Sequence, residues 1–175
     1  EKDSAINEHI EQMRLSCTKS LLERRDVIIV ATVSAIYGIG EPESYHRMVM
    51  TLRAGDKPGQ RDIIAQLVRM QYERNDLNLV RGKFRVRGDT IEVHPAYEEF
   101  VVRVELFGDE IESISTVDPL TGEKLETMHD IVLFPATHYA TSDDRMQRAI
   151  QGIEVELQQS LAKFEEEGKL LEAQR

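Results

Sequence analysis

Apolar residues at Ile6, Ile10, Met13, Cys17 and Leu21 recur at helical spacing with charged residues between them, and Asp3 or Ser4 could cap the run. This predicts one amphipathic helix to about Glu23. "DVIIVATVS" follows as a bounded, β-branched, continuously apolar run, the pattern of a strand buried on both faces of a parallel sheet. Such a strand needs parallel neighbours, and nothing else in the chain reads like one. Residues 1–43 are therefore expected to be the margin of a larger α/β domain. "YGIGEPES" is a Gly-punctuated linker, and Pro42 suits the first turn of a helix predicted through Tyr45, Met48, Val49 and Leu52 to Gly55. "GDKPGQ" is loop, and Asp62 is a candidate cap for a second helix carrying Ile63, Ile64, Leu67, Val68 and Met70, ending by "RND".

The period then changes to two. Phe84 and Val86 alternate with Lys83, Arg85 and Arg87, Gly88-Asp89 makes a two-residue turn, and Ile91 and Val93 alternate with Thr90, Glu92 and His94. That turn sets the register: Arg87 opposite Thr90, Val86 opposite Ile91, Arg85 opposite Glu92, Phe84 opposite Val93 and Lys83 opposite His94. The apolar set must bury, which sends Lys83, Arg85, Arg87 and Glu92 to the other, exposed side. In "FVVRVELF", Phe100, Val102, Val104 and Leu106 share one side and leave Arg103 and Glu105 on the other, where they would join the charged face if the strands are neighbours. Ile111 to Val117 and a further pair ending at "IVLFP" extend an antiparallel meander. From Thr141 or Ser142, Met146, Ile150, Ile153, Leu157, Leu161 and Phe164 trace one face of a long helix interrupted at Gly168. The fold class expected is α+β: an antiparallel sheet with helices on one face.

The chain has 175 residues, of which 41% are hydrophobic, enough for a core, and a formal net charge of -10, which argues against gripping nucleic acid by bulk charge. Locally the balance inverts. Over residues 69–87, Arg69, Arg74, Arg81, Lys83, Arg85 and Arg87 meet only Glu73 and Asp76, a surplus of four positive charges. Arginines favour bidentate carboxylate or phosphate recognition, so the partner could be acidic protein or DNA. The alternative is a solvated sheet face with a small cross-strand pair between Arg85 and Glu92.

Other chemistry is sparse. The Gly-Lys pairs at 82–83 and 168–169 lack the rest of a phosphate-cradling loop, the lone Cys17 offers neither a disulfide nor a cysteine pair for zinc, and the scattered His9, His46, His94, His129 and His138 have no ligand spacing and read as surface or loop residues. No cofactor, metal or catalytic set is expected in this chain. The longest apolar run is too short to span a membrane, no signal sequence opens the chain, and a cytoplasmic location is expected. The chain also ends within what reads as a continuing helix, as an excised piece of a longer protein would.

Several blocks line up together: "EKDSAINEHIEQMR", "LLERRDVIIVATVSAIYGIGEPE", "QYERND", "RGKFRVRGDTIEVHPA", "RVELFGDEIE", "DPLTGE", "FPATHY" and "GKLLEAQR". In this order they resemble an internal segment of the UvrB family, the damage-recognition subunits of bacterial nucleotide excision repair. The resemblance implies that residues 1–43 are part of a RecA-like ATPase domain, 44–136 an inserted domain that docks onto UvrA, and 137–175 a helical return to the ATPase body. It also implies that ATP, Mg, damaged DNA and UvrC are bound by other parts of a longer protein. The residues it assigns to UvrA docking are Arg74 in "ERND", Arg85 and Arg87 in "FRVRGD", and Arg103 and Glu105 in "RVELF".

Overall fold

The computed structural model describes residues 7–36, 42–139 and 143–174, and the chain divides into two compact units, Glu1–Ala140 and Thr141–Arg175. In order, the first unit contains α1 (Glu8–Glu23), a 3-10 turn (Val33–Ile36), α2 (Pro42–Arg47), β1 (Met50–Arg53), α3 (Gln60–Arg69) and β2 (Glu73–Arg74). These are followed by β3 (Lys83–Arg87), β4 (Thr90–His94), β5 (Val101–Phe107), β6 (Glu110–Val117), β7 (Lys124–Met128) and β8 (Asp130–Leu133). Strands β2 to β7 form one six-stranded sheet in sequence order, and β1 pairs with β8 in a separate two-stranded ribbon. The fold is α+β.

The sheet and the ribbon face each other across one core. Phe84, Ile91, Val93, Val102, Val104, Ile111 and Ile114 point from one side of the sheet and are buried against Ile63 and Leu67 of α3 and against Met50, Leu52, Ile131 and Leu133 of the ribbon. Each such side chain contributes about 1.5–3 kcal/mol by leaving water, so this side of the sheet cannot be turned outward. The β3–β4 hairpin has the predicted register, from Arg87 opposite Thr90 to Lys83 opposite His94. Its first loop residue, Gly88, has φ 60°, a conformation that glycine adopts without strain. Two tyrosine hydroxyls tie the end of β8 to this framework. Tyr72 donates to the Phe134 carbonyl at 2.8 Å, and Tyr97 accepts from the Phe134 amide at 2.9 Å. A smaller cluster of Leu15, Tyr45, Tyr97 and Phe134 receives α1, whose Lys19 ion-pairs with Glu98.

Several sequence expectations are corrected. The run at 26–33 forms no strand: Ile28 and Val30 are 92% and 95% exposed. An isolated strand has no partner for its amides and carbonyls, and water takes that place. Helix α1 begins at Glu8, with the Asn7 side chain accepting from the amides of His9 and Ile10; Asp3 and Ser4 lie outside the described residues. It docks through Gln12 and Leu15, leaving Ile10, Met13 and Leu21 of the predicted apolar face exposed. The helix predicted to run to Gly55 stops at Arg47. Met50 and Leu52 instead alternate buried against exposed Thr51 and Arg53 as β1, because Leu133 and Ile131 of β8 lie opposite them. Helix α3 is preceded by Gly59 rather than capped by Asp62, whose carboxylate lies in its first turn, where the helix dipole favours it. Strand β2 was not anticipated, and it pairs with β3 in parallel, so the sheet is mixed. The helices also share their side of the sheet with the β1–β8 ribbon.

The second unit holds α4 (Asp143–Glu166) and α5 (Leu170–Gln174). The predicted break is present: Gly168 has φ 70°, and the Lys169 amide turns back to the Phe164 carbonyl at 2.8 Å. Met146, Ile150, Ile153 and Leu157 are exposed along α4, and the candidate caps Thr141 and Ser142 lie outside the described residues.

Candidate protein-docking face

The side of the sheet turned away from the core is organised in rows set by register. One row crosses β3 to β6 as Arg85, Glu92, Arg103 and Ser115; the next as Arg87, Thr90, Glu105 and Ser113. Six of these residues, Arg85, Arg87, Thr90, Glu92, Arg103 and Glu105, line one shallow open depression. Three guanidinium groups and two carboxylates therefore share a surface that no single strand could supply.

The first row satisfies itself. Glu92 accepts from Arg85 Nε at 2.5 Å through Oε2, and from Arg103 Nε and Nη2 at 3.0 and 2.8 Å through Oε1. The Glu92 side chain is only 6% exposed, whereas Arg85 and Arg103 keep 23% and 29%. Burial pushes the Glu92 carboxyl up, but the hydrogen bonds and charges of Arg85 and Arg103 outweigh it and hold it below its ordinary range. The second row is less satisfied: Glu105 accepts from the Ser113 hydroxyl, while the exposed Arg87 makes no hydrogen bond or ion pair among the described residues.

Of the five residues expected at the site, the structure brings Arg85, Arg87, Arg103 and Glu105 together and holds Arg74 apart. Arg74 sits opposite Phe84 in the parallel β2–β3 ladder, on the alternate side from Lys83 and Arg85, and it is occupied by Asp76 at 3.0 Å. Asp76 also accepts from the Val86 amide and so fixes the loop along the sheet edge. The local positive surplus of four is halved by carboxylates from outside the segment, since Arg81 approaches Glu99 at 3.9 Å and Arg85 takes Glu92, while Lys83 takes the segment's own Glu73 at 3.3 Å.

Two expectations about this side of the sheet are revised. It is not exposed throughout, since Glu92 is buried where arginines from two flanking strands close over it. His94 is not a surface histidine either; it is buried, its ring nitrogens make no hydrogen bond of good geometry among the described residues, and burial lowers its pKa against the opposing pull of the Leu79 and Glu98 backbone. The residue that sequence reasoning undervalued is Glu92, treated there only as a counter-ion to Arg85. Placing β5 beside β4 would have put Arg103 on its other flank. Among the described residues no group of three His, Cys, Asp or Glu could hold a metal ion, and no helix is long and apolar enough to cross a membrane.

Comparison with known proteins gives a consistent result. Residues 50–139 match the UvrB interaction domain and residues 144–175 the UvrB third helical domain. The UvrABC system protein B of Burkholderia mallei is 57% identical over 176 residues, which cover 100% of this chain and 25% of the relative. Those of Francisella tularensis and a Synechococcus species are 54% and 52% identical, over 100% and 99% of this chain and 26% and 25% of theirs. The chain thus spans about a quarter of the length of the curated relatives it matches.

Proposed function

Given that the chain belongs to the UvrB family, carrying its interaction domain and third helical domain, we propose that it serves bacterial nucleotide excision repair as a docking module, with the charged face of its sheet engaging UvrA. The observation that carries this reading is Arg87: an exposed guanidinium that feels the charge of Asp76 but makes no hydrogen bond or ion pair among the described residues, on a hairpin beside two arginines already oriented by Glu92. A guanidinium in that state is ready for a carboxylate from outside. Glu105 offers the same face a site for an incoming cation, so the matching surface would be acidic with a basic residue at one edge. Arg74, at the β2 edge, would contribute at the periphery. In this reading the longer protein's ATP, Mg, DNA and UvrC sites lie outside these residues. Direct contact between this face and DNA fits less well, because Glu92 and Glu105 sit among the arginines and would repel phosphate.

Titration of UvrA with this chain by calorimetry tests the proposal. Arg85→Ala combined with Arg87→Ala is expected to weaken binding by about 2–5 kcal/mol while leaving the fold intact, since truncating one side of a desolvated charged contact costs that much. Unchanged affinity would overturn it.

A further inference from the structure

We propose that Glu92 is a positioning residue for the docking face, a built-in carboxylate that holds Arg85 and Arg103 in the poses an external partner meets. The proposal rests on the reading of this face as the UvrA contact. Its physical basis is the division of labour around one side chain. Oε2 is taken by Arg85 Nε alone, and Oε1 by Nε and Nη2 of Arg103. A guanidinium has five N–H donors, so the single bond through Nε fixes the plane of Arg85 while leaving the four donors on its terminal nitrogens for a partner. Glu92 is itself too buried to be the main contact: its side chain is 6% exposed, against 23% and 29% for the two arginines over it. Arginine side chains left without this anchor would have to be ordered at the moment of binding, and affinity would fall accordingly.

The sign of the effect separates this role from a bystander charge. If Glu92 were merely one more carboxylate near the contact, removing its charge would make the face more positive and strengthen association with an acidic surface. Positioning predicts the opposite. Glu92→Gln keeps the shape, and the amide orientation that preserves more hydrogen bonds sets its oxygen toward the two donors of Arg103. Its NH2 then faces Arg85 Nε, donor against donor, so Arg85 is released and Arg103 is retained.

The experiment is surface binding kinetics of this chain with UvrA, comparing wild type, Glu92→Gln, Arg87→Ala, Arg85→Ala and the Arg85→Ala/Glu92→Gln pair, with circular dichroism as the check on folding. Glu92→Gln is expected to bind about tenfold more weakly through faster dissociation, with association unchanged or slightly faster at low salt. In the Arg85→Ala background the same substitution should change affinity by less than about twofold, because the residue it acts through is gone. Wild-type or tighter binding of Glu92→Gln, with Arg87→Ala still weakened, would overturn the positioning role and leave the docking reading standing. An equal loss in the Arg85→Ala background would overturn it too, by making the effect a general one on the fold. If neither Arg87→Ala nor Glu92→Gln changes binding, both the docking reading and the positioning role are overturned. Should Glu92→Gln unfold, Glu92→Asp keeps the charge but withdraws it by one methylene from both arginines; weaker binding is then expected, and wild-type affinity would overturn the positioning role.

Discussion

At the scale of single residues, burial and ionisation pull against each other, and Glu92 and His94 on the same strand resolve the conflict differently. Glu92 stays charged because two guanidinium groups follow it out of water, which holds its pKa below the ordinary 4.5. Its contribution to stability is therefore present above that ordinary value and is lost as pH falls through the lower folded one. His94 has no such partner; burial, with the Arg81 charge adding to it, lowers its pKa from the ordinary 6.5, and His138 is lowered by burial too. For these histidines the unfolded chain takes up protons first as pH drops below 6.5, so folding stability declines from there until the folded pKa is passed. Thermal unfolding followed from pH 7 to pH 5 should show a falling midpoint, and the fall should be shallower in His94→Gln. An unchanged slope in that variant would remove His94 from the account.

Among the elements, the β3–β4 hairpin was legible in full because a two-residue loop permits one register, and strict alternation then assigns every side chain to a face. Gly88 is the residue this rests on. A Cβ there would meet no atom within 4 Å, so Gly88→Ala tests backbone conformation alone, and φ 60° should make it cost about 1–2 kcal/mol in a denaturant titration. Elsewhere the pattern ran out for identifiable reasons. The spacing of Tyr45, Met48, Val49 and Leu52 suits one continuous helix and equally a short helix followed by a strand; only the partner β8, some eighty residues on, decides for the strand. Two-residue β2 is too short to show any period, and its parallel pairing sets the parity that carries Arg74 away from Arg85. The face of Arg85 and Arg87 on β3 could be read from alternation, while that of Arg103 and Glu105 also required β5 to be the next strand, as it is. The burial of Glu92 could not be read locally at all, because it is produced by side chains from strands on both sides.

In the first compact unit as a whole, two sheets that share no ladder are held as one body by α3 and the apolar rows between them, by backbone bonds between the turn after β1 and Ile111 of β6, and by the hydroxyls of Tyr72 and Tyr97. That last arrangement has a consequence for how the unit opens. Phe134 lies just beyond the end of β8, where chain termini of strands ordinarily fray, yet its amide donates to a buried tyrosine oxygen and its carbonyl accepts from another. Deuterium is expected to reach that amide only when the Tyr97 bond and the buried cluster of Leu15, Tyr45, Tyr97 and Phe134 around it open together. In a hydrogen–deuterium exchange experiment the Phe134 amide should exchange as slowly as those of Val93 and Val104, reporting global opening from a position outside any strand, and Tyr97→Phe should accelerate it selectively.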